Sequence, residues 1–154
     1  MRDWSLASLA GLGSAAMLAG ALFFQYVVGL APCELCILQR WPHLAAFVLG
    51  VVVWFFPAVW IMALGAIAAA TASGLGVYHT GVERGWWQGP TTCSGAGDIT
   101  QLTPQQLLDQ ILAAPVVRCT DVAWEMFGLS MASWNAILSL GLVGLWLLAM
   151  RQRG

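Results

Sequence analysis

The stretch WPHLAAFVLGVVVWFFPAVWIMALGAIAAATASGLGVYHTGV, residues 41–82, runs from Arg40 to Glu83 without one charged side chain. A helix rises about 1.5 Å per residue, so a hydrocarbon core of roughly 30 Å takes ~20 apolar residues to cross. At 42 residues the run is about twice that requirement and reads as two spans. Pro57, in Phe55-Phe56-Pro57-Ala58, marks the break, because proline removes a backbone donor and disfavours helical geometry in the residue before it. The two spans are expected over 37–56 and 59–79. Working outward, the uncharged run Trp4 to Cys33 supplies a span over 8–30, and Met126 to Met150, closed by Arg151, supplies one over 129–150. The sequence therefore predicts an all-α membrane protein, a single four-helix bundle over 1–154.

Composition supports the same class. Only 8% of residues are charged, where soluble domains average about 25%. With 60% apolar residues, 9 Trp and a mean hydropathy of +0.78, the chain carries more apolar surface than one small water-soluble core hides. The same composition excludes disorder. Six Arg, no Lys and a net charge of −1 leave no basic stripe for nucleic acid.

Four spans bring both ends of the chain to one side, and Arg2, Arg151 and Arg153 assign that side to the cytoplasm. A cleavable signal peptide is the alternative for the first span, but its apolar run is longer than usual and its charged region is only Arg2 beside Asp3. The opposite side receives 31–36 and the loop 80–128. Within it, Glu83 to Glu125 holds five acids against Arg84 and Arg118. Trp86, Trp87, Pro90 and Ser94-Gly95-Ala96-Gly97 read as irregular chain near the headgroups. Thr103-Pro104-Gln105-Gln106 combines an N-cap hydroxyl, a first-turn proline and a Gln three residues after the cap. A short amphipathic helix is expected to start there, with Leu107, Leu108, Ile111 and Leu112 on one face, and to end at Pro115, lying on the membrane surface or packed on the loop.

The chemistry lies in four cysteines, all on the extracytoplasmic side where disulfides persist. Cys33-Glu34-Leu35-Cys36 is a CxxC at the membrane edge before a helix. A bridge within it closes a loop too small to brace a fold. A thiolate at a helix N-terminus is stabilised by the dipole and free amides, which favours reactivity. Arg40 stands one turn after Cys36 on the same face, and a charge near a span is a functional hypothesis by default. Cys93 and Cys119 alone read equally as a staple worth about 2–4 kcal/mol in the chain-entropy model. Together with the CxxC they form two dithiols on one side, able to exchange disulfides by thiolate attack.

Electrons released by a dithiol need an acceptor. No Gly-rich nucleotide fingerprint is present, and quinones are the lipid-soluble carriers of two electrons and two protons that suit an Arg at the bilayer edge. Bis-His haem on His43 and His79 is the weaker alternative. A zinc site from the CxxC and one His lacks its second ligand pair, so no metal is expected. His79 reads as a polar neighbour of the quinone or a proton donor, against a plain interfacial role.

Pro32-Cys33-Glu34-Leu35-Cys36-Ile37-Leu38-Gln39-Arg40, Tyr78-His79, the isolated Cys93 and Cys119, and Trp124-Glu125-Met126-Phe127-Gly128-Leu129-Ser130-Met131 running into Trp134-Asn135 together resemble the DsbB family of disulfide bond formation proteins. The resemblance implies a bacterial inner-membrane enzyme, a protein-dithiol:quinone oxidoreductase. It would reoxidise a periplasmic DsbA-like thioredoxin-fold partner and reduce ubiquinone or menaquinone. It implies a Cys93–Cys119 loop disulfide attacked by the partner at Cys93, with Cys33 exchanging with Cys119. Cys36 would face the quinone as thiolate, and Arg40 and His79 would complete the quinone site. Arg118, directly before Cys119, departs from the family pattern. The vitamin K epoxide reductase type, also a quinone-linked CxxC protein, would put the CxxC near the last helix. A tetraspan scaffold whose disulfides only brace the loops is the non-enzymatic alternative, and it leaves the CxxC and Arg40 unexplained.

Overall fold

The computed structural model describes residues 3–90, 103–106, 108 and 117–153. Its elements are α1 (Asp3–Tyr26), α2 (Glu34–Leu38), α3 (Arg40–Phe55), α4 (Val59–Glu83), β1 (Glu125–Met126), β2 (Leu129–Ser130) and α5 (Met131–Arg151). Among the described residues, four stretches are long and apolar enough to cross a membrane: Leu6–Tyr26, Glu34–Phe55, Val59–Glu83 and Met131–Arg151. The four-helix membrane fold expected from the charge-free runs is thus present.

The helix ends differ from the expected spans for local reasons. α1 stops at Tyr26, four residues early. There the chain turns back through amides of Val27 and Val28 bonded to the Phe23 carbonyl and Leu30 to Phe24, with Gly29 at φ +83°. The second span starts at Glu34 but breaks at Gln39, because Pro42 cannot donate to the carbonyl four residues back. α3 does end before Pro57, with the Phe56 amide on the Val52 carbonyl. α4 runs one turn past 79, to Glu83. Gly85, at φ +70°, closes a Schellman motif in which Trp86 N–H bonds Gly81 O at 2.8 Å and Gly85 N–H bonds Val82 O at 3.1 Å. α5 begins at Met131, capped by the Ser130 hydroxyl on Ser133 N–H.

In the expected loop helix, the start is visible: Thr103 and Gln106 exchange the reciprocal bonds of a capping box, 3.0 and 3.3 Å. Its continuation through Leu107, Ile111 and Leu112 lies outside the described residues. An unanticipated hairpin, β1 with β2, pairs Glu125 with Ser130 around Phe127 and Gly128, both at positive φ. Trp134 N–H bonds the Met126 carbonyl, and Trp124 packs on Phe24 at 5.1 Å.

The bundle is a ring in which α1 packs on α3, α3 on α4, α4 on α5 and α5 on α1. Lipid is as apolar as leucine, so membrane helices associate through close packing and buried hydrogen bonds. Gly11 and Gly50 put the backbones of α1 and α3 in contact, a Cβ on Gly11 falling 2.8 Å from Gly50 Cα. On α4, Gly76 meets the Ala132 and Ala136 backbone of α5 in the same way. Ser73 Oγ bonds the Ala136 carbonyl at 2.9 Å, and Thr80 and Ser133 hydroxyls meet at 3.1 Å. The main core is Ala7, Ala10, Val53, Met62, Ala69, Trp146 and their neighbours. By connectivity the start of α2 and the end of α4 share one end of the bundle, and Asp3 and Arg151 lie at the other.

Candidate thiol-disulfide site

Cys33 is the N-cap of α2: extended at φ −75°, ψ 171°, its sulfur accepts the Cys36 N–H at 3.2 Å. One turn therefore brings the CxxC sulfurs to 2.8 Å, and both cysteines are free. Cys33 is buried and Cys36 half-buried. The Cys33 thiol donates to the Cys36 sulfur, and this bond, followed by burial, pushes the Cys33 thiol above the ordinary range. Helix-end stabilisation of a thiolate thus does not lower Cys33. It is the member of the pair that keeps its proton.

Packed against this pair, in a second small core, are Leu35, Val82 and Cys119, with Tyr78 and Val117 at its edge. Cys119 is 1% exposed and disulfide-bonded. Cys93, its expected partner, lies outside the described residues. The donor atoms of Cys33, His79 and Cys119 lie within 4.8 Å of one another. That geometry resembles a metal site, but the Cys119 sulfur is bonded in a disulfide and so offers no thiolate ligand. What it offers is a disulfide beside a thiol, the arrangement needed for exchange.

His79 is 4% exposed. Its Nε2 lies 3.5 Å from Cys33 Sγ and 3.9 Å from Glu83 Oε1, and its Nδ1 lies 2.8 Å from Gln39 Nε2. Glu83 in turn accepts the Ser130 hydroxyl through a very short bond. Asn135 Nδ2 donates to Gln39 Oε1 at 2.6 Å, and Asn135 Oδ1 faces His43 Nε2 at 2.8 Å. The two histidines are thus linked to each other through amides.

A cavity of about 440 Å³ opens between α1, α2–α3 and α5, within the usual 300–1,000 Å³ of ligand pockets. Its wall is mostly apolar, with Cys36, Arg40, His43, His79, Glu83 and Asn135 among its polar and sulfur-bearing members. Arg40 bonds Gln25 Oε1 through Nη1 at 2.6 Å, whereas its Nε is buried with no partner. Cys36 and Arg40 share this wall as their one-turn spacing predicts. Arg118 is exposed and also borders the cavity.

Gln25, Gln39, Glu83 and Asn135 were not anticipated as site residues. Their signal was an amide or acid inside or at the edge of an apolar helix, and Gly85 marked α4 as long enough to carry Glu83.

Fold and site together define a multi-pass membrane protein with a free dithiol packed against a disulfide at one end of a helical bundle. Residues 3–149 match the family model "Disulfide bond formation protein DsbB". The chain belongs to the DsbB family, whose names mark a disulfide-forming oxidoreductase. It is 34% identical to a disulfide bond formation protein B of Verminephrobacter eiseniae, over 96% of this chain and 85% of the relative. It is 33% identical to one from Shewanella loihica (87% and 79%) and 29% identical to one from Haemophilus influenzae (94% and 84%). No solved structure matches the chain.

Proposed function

We propose that this protein takes electrons from a periplasmic DsbA-like dithiol partner and delivers them to a membrane quinone, ubiquinone or menaquinone. One observation carries the reading: the free CxxC has the disulfide-bonded Cys119 on one side and, on the other, an apolar cavity bearing an unpartnered guanidinium N–H. A quinone ring needs an apolar slot and a donor for its carbonyl. The cavity volume and Arg40 Nε fit that need.

In the working direction both pairs start as disulfides. A partner thiolate attacks Cys93, releasing the Cys119 thiolate, and the partner's second thiol then displaces Cys93. Cys119 attacks Cys33, Cys36 leaves as thiolate, and Cys93 closes the loop disulfide again. The CxxC, now a dithiol as in the structure, loses two electrons and two protons to the quinone, giving a disulfide and hydroquinone. Arg40 holds the quinone and balances the charge on Cys36. His79, hydrogen-bonded to Cys33 and bordering the cavity, positions that sulfur beside Cys119 and completes the polar edge of the quinone site. The cysteine-bearing end faces the periplasm, and both termini lie in the cytoplasm.

The test is the absorbance of added quinone, followed without oxygen, when the purified protein meets a reduced thioredoxin-like dithiol protein. The quinone signal is expected to fall only when all four cysteines are present. No loss, with quinone binding shown separately, refutes the reading. Cys93→Ala is expected to stop exchange with the partner yet leave the CxxC reducible by small thiols; partner oxidation at the normal rate would return the loop pair to a structural role.

A further inference from the structure

The buried amides fix where the protons sit in the network behind the cysteines. Gln39 Nε2 donates to the Leu35 carbonyl at 3.1 Å, and a backbone carbonyl only accepts, so that atom is the amide nitrogen. Its other hydrogen goes to His79 Nδ1, 2.8 Å away, which is therefore an acceptor. Asn135 Nδ2 is fixed in the same way by the Ala72 carbonyl at 3.3 Å and by Gln39 Oε1. Asn135 Oδ1 then only accepts, and it faces His43 Nε2 at 2.8 Å and the Ser139 hydroxyl at 3.4 Å. His43 must carry its proton on Nε2.

In the neutral imidazole the other ring nitrogen, His43 Nδ1, is left as a bare lone pair. It is buried without a hydrogen-bond partner, in a ring only 3% exposed, on a residue that lines the cavity one turn along α3 from Arg40. Arg40 Nε, also buried and unpartnered, is a donor. Two residues of the cavity wall thus carry one unfilled donor and one unfilled acceptor just beneath its surface. An oxidised quinone has carbonyl oxygens and no O–H, so it satisfies only the donor. A hydroquinone has hydroxyls and satisfies both.

We propose that His43 Nδ1 accepts a hydroxyl of the reduced carrier, so that the cavity binds hydroquinone more tightly than quinone and makes the bound carrier a stronger oxidant. This rests on the reading of the cavity as a quinone site and names a residue and a selectivity beyond it. A ligand shifts an equilibrium only by its differential affinity for the two states. One buried hydrogen bond made by one form and not the other corresponds to a preference of up to about tenfold, or about 30 mV for a two-electron couple.

The test uses the full-length protein with both cysteine pairs oxidised, under anaerobic conditions. Binding of a short-chain quinone and of its hydroquinone is measured separately by calorimetry, and the ratio of the two dissociation constants is the readout. His43→Gln places an amide nitrogen near the former Nε2, keeping a donor for Asn135, and has no atom at Nδ1. Its ratio is expected to fall about tenfold toward quinone, with quinone affinity itself little changed. His43→Asn places its amide oxygen near the former Nδ1 and is expected to keep most of the preference, which guards against H43Q failing to fold. A ratio unchanged in H43Q, or lost equally in H43N, overturns the role of Nδ1. Wild-type protein that binds neither form overturns the quinone reading itself, a different failure from the first.

Discussion

Replacing Arg40 by Leu tests the quinone site at the cation one turn from Cys36. In the structure the guanidinium divides its work: Nη1 is used by Gln25 at 2.6 Å, while Nε is buried without a partner on a residue of the cavity wall. A hydrogen bond to a charged group contributes about 1.5–3 kcal/mol net. At about 1.4 kcal/mol per factor of ten, its removal weakens quinone use by roughly 10- to 150-fold. The assay is initial rate against quinone concentration, without oxygen and with saturating reduced partner. The loss is expected mainly in KM for quinone, with disulfide exchange at the loop pair intact, because the Cys33 sulfur is held by Cys36 and His79. Arg40→Lys separates charge from shape: a lysine keeps the cation but loses the planar fork that serves Gln25 and a ligand at once, so it should recover only part of the affinity. An unchanged KM in R40L removes Arg40 from the site.

The remaining predictions concern the thiol pair and the packing. Because its hydrogen bond to Cys36 and its burial raise the Cys33 thiol, that group stays protonated as pH climbs through the ordinary thiol value of 9.0, where an unfolded chain would ionise. Its contribution to stability is complete below about 9 and declines above it. Alkylation of the reduced protein, mapped by mass spectrometry, should modify Cys36 well before Cys33 up to pH 9, and Cys36→Ala should speed modification of Cys33 by removing its acceptor. Equal rates in the wild-type protein would contradict the proton assignment. Gly76→Ala inserts a Cβ 2.8 Å from Ala136 N and 3.0 Å from the Ala132 carbonyl, backbone atoms that move only if α4 and α5 part. It should cost about 1–3 kcal/mol in detergent unfolding, whereas Gly144→Ala, with open space around it, should cost nothing. Equal stability of the two variants would refute the close α4–α5 contact.

Much of the fold was legible because a bilayer punishes charge: runs free of Arg, Asp and Glu, with Pro57 between two of them, already yield four helices. The same rule set limits on the site. Counting charges places the end of the third span before Glu83, whereas Gly85, the residue that ends α4, sits beyond it and brings the carboxylate onto the turn after His79. Pro42 breaks the second span at Gln39, within a run that charge counting treats as one continuous helix. Phe127-Gly128 gave no turn signal, because phenylalanine rarely adopts the φ of 56° it holds there.

The deeper omission is of uncharged polar groups. Gln25, Gln39, His43 and Asn135 carry no formal charge, so they do not interrupt a hydrophobic run, yet an unpaired amide in hydrocarbon costs several kcal/mol. Such residues persist in spans only where partners lie on other helices, and pairing cannot be read from one helix at a time: His43 on α3 meets Asn135 on α5, 92 residues away. Once the bundle brings them together, almost every bond in the chain is closed by a backbone carbonyl or another amide. Of the buried atoms left open among the described residues, Arg40 Nε and His43 Nδ1 belong to residues on the cavity wall. A network this complete behind the cysteines and incomplete at the cavity is what a ligand with both an acceptor and a donor would finish.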